Sequence, residues 1–258
     1  MGRLGGVFLA VTVLAAAPLA AQTVEIEGRF WPATLDAQVK VTGGLTGIPP
    51  ELSTIDLKSD LGLKDENLQE WRLTVFTGPH SRLRLGYLSM SYAADQKLNR
   101  TVVFNGQVYT VGTRVLTDLS LDYWRLGWAW MFAGGPTDSA QFGTLLEAKS
   151  ITTDAHVSAP ELAPPVEEKK HFSGTLPSVG LVLDLRPSRV VTVSLEASGV
   201  SAGTYGHGID AEASVRVVPF ANLAISAGYR YFDLEAKDDP DFAKIKNTGP
   251  YAALALRF

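Results

Sequence analysis

The sequence predicts an all-β fold: a closed antiparallel up-and-down transmembrane β-barrel of ten strands. Three observations carry that prediction. Stretches of about ten residues alternate apolar and polar side chains from Thr23 to Phe258, as a wall with lipid outside and a polar lumen inside requires. Short turns and long connections alternate between these stretches. After the amino terminus, no segment offers the roughly 18 or more uninterrupted apolar residues of a membrane-crossing helix. Assigning 35–60 and 99–111 differently leaves eight or twelve strands as alternatives.

Residues 1–21 have the make-up of a cleaved signal peptide. Arg3 is followed by the apolar run Val7–Leu14 and then by small residues up to Ala21, with Pro18 breaking any longer helix. The mature barrel is then 22–258. The formal charge of −4 becomes −5 once the +1 of Arg3 is removed, and no basic block is present, which argues against nucleic acid as a partner. With no cysteine, the chain has no thiolate nucleophile or thiolate metal site.

The first strand is Thr23–Trp31, with Val24, Ile26 and Phe30 opposite Glu25, Glu27 and Arg29. A long connection over 32–68 precedes strand two at Gln69–Thr77 and a tight turn at Gly78–Ser81. Strand three, Arg82–Ala93, sets Leu83, Leu85 and Tyr87 against Arg82 and Arg84. The second long connection, 94–113, contains Asn105-Gly106, the preferred pair of a two-residue hairpin, and reads as a ribbon above the barrel. In strand four, Thr117–Phe132, the apolar set shifts from Leu119, Leu121 and Tyr123 to Leu126, Trp128, Trp130 and Phe132. That phase change predicts a bulge near Trp124-Arg125. Strand five is Ala140–Ile151.

The third long connection, 152–171, carries three prolines and the run Glu167-Glu-Lys-Lys170, the make-up of an exposed loop. Strands six to nine, Ser173–Leu185, Val190–Ser201, Gly208–Val218 and Leu223–Glu235, alternate cleanly and are joined by tight turns at one end. A loop over 236–248 leads to the last strand, where Pro250, Ala252, Leu254, Leu256 and Phe258 share one face. An even strand count puts both termini on the short-turn side.

Gly228-Tyr-Arg-Tyr-Phe-Asp-Leu-Glu235, a polar loop and Gly249-Pro-Tyr…Arg-Phe258 together resemble the ending of small outer-membrane barrels of Gram-negative bacteria, with the OmpW-like and OmpA-like groups nearest. The resemblance implies the cell outer membrane as location and periplasmic termini. It also makes Phe258 the insertion signal read by the barrel-assembly machinery, and outer-membrane lipid, lipopolysaccharide included, the surroundings. Trp128, Trp130, Phe132 and Phe142 are expected in the periplasmic aromatic girdle. Tyr92, Tyr123 and Tyr231 are expected in the outer one.

The charges expected to point into the lumen are Glu25, Glu27, Arg29, Arg82, Arg84, Asp118, Asp122, Arg125, Glu147, Lys149, Asp184, Glu196, Asp210, Glu212, Arg216 and Arg230, because an Arg or Lys facing mid-bilayer lipid costs about 2–4 kcal/mol. In a bore this narrow they must pair, so a salt-bridged plug is favoured over a lined pore. A structural or surface-interaction barrel is therefore the leading reading, with a narrow solute channel as its competitor. A rim hydrolase built on His207, Asp210, Ser201 and Thr204 is the second alternative, with no motif around it. His156 and His171 share a loop, and His80 lies in a turn. The acidic segments Asp56–Glu66 and Asp238–Asp241 lack the spacing of a calcium loop, so no cofactor or metal is expected. A soluble β-sandwich is the remaining alternative.

Overall fold

The computed structural model describes residues 23–43, 47, 49–135 and 137–258; the expected signal peptide at 1–21 lies outside them. Ten wall strands follow one another as neighbours: β1 Thr23–Lys40, β2 Glu66–Gly78, β3 Ser81–Lys97, β4 Arg114–Ala133, β5 Ala140–Ala159, β6 Val166–Leu185, β7 Val191–Ser201, β8 Gly206–Phe220, β9 Leu223–Asp238 and β10 Asp241–Arg257. Every pair is antiparallel. The barrel closes where β1 pairs with β10, from Glu25 opposite Arg257 up to Lys40 opposite Phe242. Val24 and Phe258 complete the seam by exchanging backbone hydrogen bonds of 3.1 and 2.8 Å. Ten strands and closure are as the alternation predicts.

The outward faces show why this sequence makes a wall. Ile26 and Phe30 on β1, Trp124 to Phe132 at every second residue of β4, and Leu254 and Leu256 on β10 are all exposed. On β4 this apolar stretch projects to about 22 Å at the usual strand rise and tilt, close to the hydrocarbon band of such barrels. At the turn-bearing end Trp128, Trp130, Phe132, Phe142 and the 72% exposed Phe258 stand outward. Phe132 and Phe142 meet edge-on with centroids 5.2 Å apart. All four aromatics expected in the girdle at that end project outward.

Above the band the chemistry of the two faces exchanges while the backbone continues. The β3–β4 and β4–β5 ladders run unbroken through Trp124 and Arg125, so the bulge expected there is not formed. Leu119, Leu121 and Tyr123 keep the inward face of Arg125, and Asp118 and Asp122 keep the outward face of Trp124. A polar ring marks the changeover along directly paired residues, Gln69, Ser89, Asp122, Thr152 and Ser173. Beyond it the wall is a crown with a dry interior. Trp31, Leu35, Leu88, Met90, Leu121 and Phe232 form its core.

The connections on this side are more ordered than their composition suggests. The stretch expected as a loop over 152–171 is mostly ribbon: β5 and β6 stay paired up to Ala159 and Val166, leaving only 160–165 outside strands. The 236–248 loop likewise shrinks to a two-residue turn between Asp238 and Asp241. Strand β1 continues nine residues past Trp31, to Lys40, which shortens the first connection. The Asn105-Gly106 hairpin is present. Both residues have positive φ, 49° and 79°, and Val102–Phe104 pairs with Gln107–Tyr109. Positive φ at both corner positions is what a type I′ turn demands, and glycine meets it without steric cost.

This ribbon folds over the mouth of the barrel. Val102, Phe104 and Tyr109 bury against Ile55 and Leu61 of the first connection and Val115 of β4. Arg100 fastens the two connections together by donating to both Asp60 carboxylate oxygens, at 2.8 and 2.5 Å, and to the Thr54 carbonyl at 2.7 Å. The result is a lid.

Candidate functional site

Fourteen of the sixteen charges expected in the lumen face it, and they sort into two layers. At mid-depth, Arg230 donates to Asp210 at 2.8 and 3.0 Å and to Glu70 at 2.7 Å. Arg72 bridges Glu70 at 2.7 Å and grips Glu212 with both terminal nitrogens, at 2.9 and 2.8 Å. Arg29 reaches Glu212 at 2.8 Å and also contacts Glu27. Arg125 lies 3.1 Å from Asp210 and 3.3 Å from Glu147. Lys149 and Glu147 share the Ser198 hydroxyl. Arg84 pairs with Glu196 at 2.5 Å. Six cations meet six carboxylates, so the layer is neutral.

Arginine suits this arrangement because its planar fork presents several donors at once, so that one guanidinium can satisfy two carboxylates. Arg72, Arg125 and Arg230 are 1–3% exposed, and such burial is tolerable only with opposite charges this close; Arg125 is the least satisfied of them, its Nε and one terminal nitrogen lacking a hydrogen-bond partner among the described residues. Aromatic rings roof the layer. The Arg230 guanidinium lies 4.8 Å from the Trp31 ring centroid and that of Arg29 lies 4.5 Å from Tyr251. Tyr123 donates to Asp210 at 3.2 Å. A Cβ on Gly228 would come within 2.8 Å of the Tyr251 ring, so glycine is what lets that ring lie flat against the wall.

Nearer the termini, Glu25 accepts from Arg216 at 2.8 and 2.5 Å and from Arg257 at 3.0 Å, and Arg82 reaches Asp184 at 3.2 Å. These groups line a vestibule of ≈ 900 Å³ open at the turn-bearing end. On the far side of the neutral layer, beneath the lid, is a second cavity of ≈ 500 Å³ walled mainly by apolar side chains. The two cavities share no lining residue.

Four expectations are corrected. Asp118 and Asp122 face outward, above the lipid band, where water replaces lipid and a carboxylate needs no partner across the bore. Tyr92 and Tyr123 are not girdle residues but core residues of the crown, each 1% exposed, with the Tyr92 hydroxyl donating to Asn247 at 3.0 Å. Tyr231 does face outward, donating to Asp233 at 2.8 Å under Lys246. Two charges of the mid-depth layer, Glu70 and Arg72, and Arg257 of the vestibule were not among the lumen charges named from sequence, although Glu70-Trp-Arg-Leu-Thr-Val75 alternates as clearly as any strand here.

The hydrolase constellation does not assemble. His207 projects outward from β8 toward Glu235, 3.4 Å away, whereas Asp210 projects inward to Arg230. His156 and His171 sit outside the crown, 2.9 Å from Glu167 and 2.7 Å from Asp154. Among the described residues no cluster of three or more potential metal-ligating side chains is found.

No protein-family model matches the chain, and no curated protein matches it. Among solved structures it is similar to the outer-membrane protease OmpT from Escherichia coli, with a TM-score of 0.55 and 8% identity over 92% of this chain and 97% of that one. It is also similar to the translocator domain of the autotransporter NalP from Neisseria meningitidis, with a TM-score of 0.51 and 11% identity over 92% and 89%. Identity this low speaks to the fold alone. The fold is that of a small outer-membrane β-barrel: ten antiparallel strands, closed, with a polar bore inside an apolar band.

Proposed function

We propose that the chain is an outer-membrane barrel that does not conduct, and that its working part is the crown above the lipid band, acting as a surface-interaction module. The observation that carries this reading is the neutral ion-pair layer separating two cavities that share no lining residue. A conducting pore needs a water path past its charged rings. Here the charges are spent on one another, and the apolar crown core lies directly above them. The termini and tight turns then face the periplasm and the crown faces the exterior, an orientation favoured by the even strand count.

Ion conductance of the refolded mature protein in a planar bilayer tests this at two salt concentrations. A silent membrane is expected, with insertion verified by a heat-dependent gel shift. Steady current steps that scale with salt would overturn the reading and establish a narrow solute channel.

A further inference from the structure

One wall strand is short. β6 extends to Val166, but its pairing with β7 ends at Gly199 opposite Val179, and β7 itself stops at Ser201. Two residues beyond that last pair lies Pro177, which has no N–H to continue a ladder. Above it the wall is notched between β6 and β9, with the Gly203–Tyr205 turn as its sill. A cavity of ≈ 520 Å³ occupies the notch and shares Val39, Phe172, Leu234 and Ala236 with the apolar chamber under the lid. Chamber and notch therefore adjoin, and the notch faces sideways at the height where the outer wall turns from Val179 to Ser173.

Three further features describe what this space would hold. Phe172 points to the interior yet is 56% exposed, because the notch leaves it bare. The buried hydroxyls of Thr117 and Tyr109 both line the chamber and have no hydrogen-bond partner among the described residues. Lys170, on the same inward face as Phe172, lines it too and makes no ion pair among the described residues. Strand register brings Thr117 and Lys170 to one corner: Thr117 pairs with Val157, and Ala155 pairs with Lys170. Glu168 lies in this corner as well, but its carboxylate accepts from Asn105 at 2.8 Å. A mainly apolar pocket with one unpaired lysine and two idle donors gathered at this corner, away from Lys244 and Asp238 on its β9–β10 side, matches an apolar tail ending in an acceptor.

We propose that the crown chamber binds a free single-chain monocarboxylate amphiphile, admitted through the notch above β7, with its carboxylate at Lys170, Thr117 and Tyr109 and its tail along Leu119 and Ile245. A lipid with several chains is too large for the chamber. The proposal rests on the crown being the working part of the molecule, but its test is independent of conductance.

The test is a fluorescence titration of the mature barrel in phospholipid nanodiscs with dansyl-undecanoic acid, empty discs serving as the blank. Saturable binding at one site per barrel is expected. Lys170→Ala is expected to weaken it about tenfold, the effect of one lost charged hydrogen bond, while leaving binding of the corresponding neutral methyl ester unchanged. Ala155→Trp, which fills the chamber, is expected to abolish both. Uptake equal to empty discs, as when phospholipid chains already fill the space, overturns the proposal. So does an unchanged affinity in a folded Ala155→Trp barrel. Lys170 is exposed and makes no ion pair among the described residues, so its variant is expected to fold, and an unchanged affinity in it overturns the proposal even if the tryptophan variant misfolds.

Discussion

The lower bore and the upper bore of this barrel are built on the same strands and obey opposite rules. Around Arg230 the interior is charged and the exterior apolar; two residues higher, around Phe232, the interior is apolar and the exterior carries Asp233 and Glu235. The backbone does not register the change, since the β9–β10 ladder passes through it without a shift. The outer solvent decides. In lipid the outside must be apolar, and the residues left for the inside are those that lipid refuses; in water the outside is polar and the inside packs like any soluble core. The lower half is held by charge pairing and the upper half by burial of apolar surface.

The most damaging way to break this contrast is to remove one arginine from the neutral layer. Arg230→Leu leaves Asp210 and Glu70 short of a partner in a buried site. It is expected to cost about 3–5 kcal/mol in the unfolding free energy of the barrel in lipid vesicles; a loss below about 1 kcal/mol would mean the pairs are dispensable. A smaller effect reads the outer face. Leu254→Arg, in the apolar band, is expected to cost about 2–4 kcal/mol, whereas Thr152→Arg, on the polar ring, stays within about 0.5 kcal/mol. Equal costs would place the lipid boundary elsewhere.

The smallest effect concerns the lid. Burial alone would raise the Asp60 carboxyl, but the hydrogen bonds from Arg100, the Asp56 N–H and the charge of Arg100 outweigh it and hold the group below its ordinary value of 3.8. A carboxyl with a lowered folded-state pKa stabilises the lid above its unfolded value, and that stabilisation is lost as pH falls through the folded one. Hydrogen exchange is therefore expected to show 54–63 losing protection between pH 7 and pH 3, relative to wall amides at 124–132. Unchanged relative protection would show that Arg100 does not hold the lid.

What could be read from the sequence follows the same division. β7 to β10 lie largely within the lipid band, alternate in one phase there, and were legible down to single residues such as Glu196, Asp210 and Arg230. On β4 an apolar run at odd positions gives way to one at even positions, so periodicity demands a phase slip to keep Leu119 and Leu126 on one face. The residues are in phase and their surroundings change instead, which periodicity alone does not distinguish from a bulge. The same change hid Tyr92 and Tyr123 in the crown core. Nothing physical hides Glu70 and Arg72, which alternate with Trp71 and Leu73 inside the expected strand Gln69–Thr77. The ribbon at 152–171 is polar outside and mixed inside, so it lacks the apolar face by which a wall strand announces itself.

A barrel normally has no free edge, and the notch above β7 gives this one an edge. From Val166 to about Pro177 the backbone of β6 offers unpaired N–H and C=O groups on one side, the arrangement that lets a second chain add itself as a strand. The run Glu167-Glu-Lys-Lys170 lies along that margin with both signs of charge. Any chain docking there would have to bury or match four ions in a row, so the run works as a guard against unwanted strand addition, the same device that keeps soluble sheets from sticking to one another.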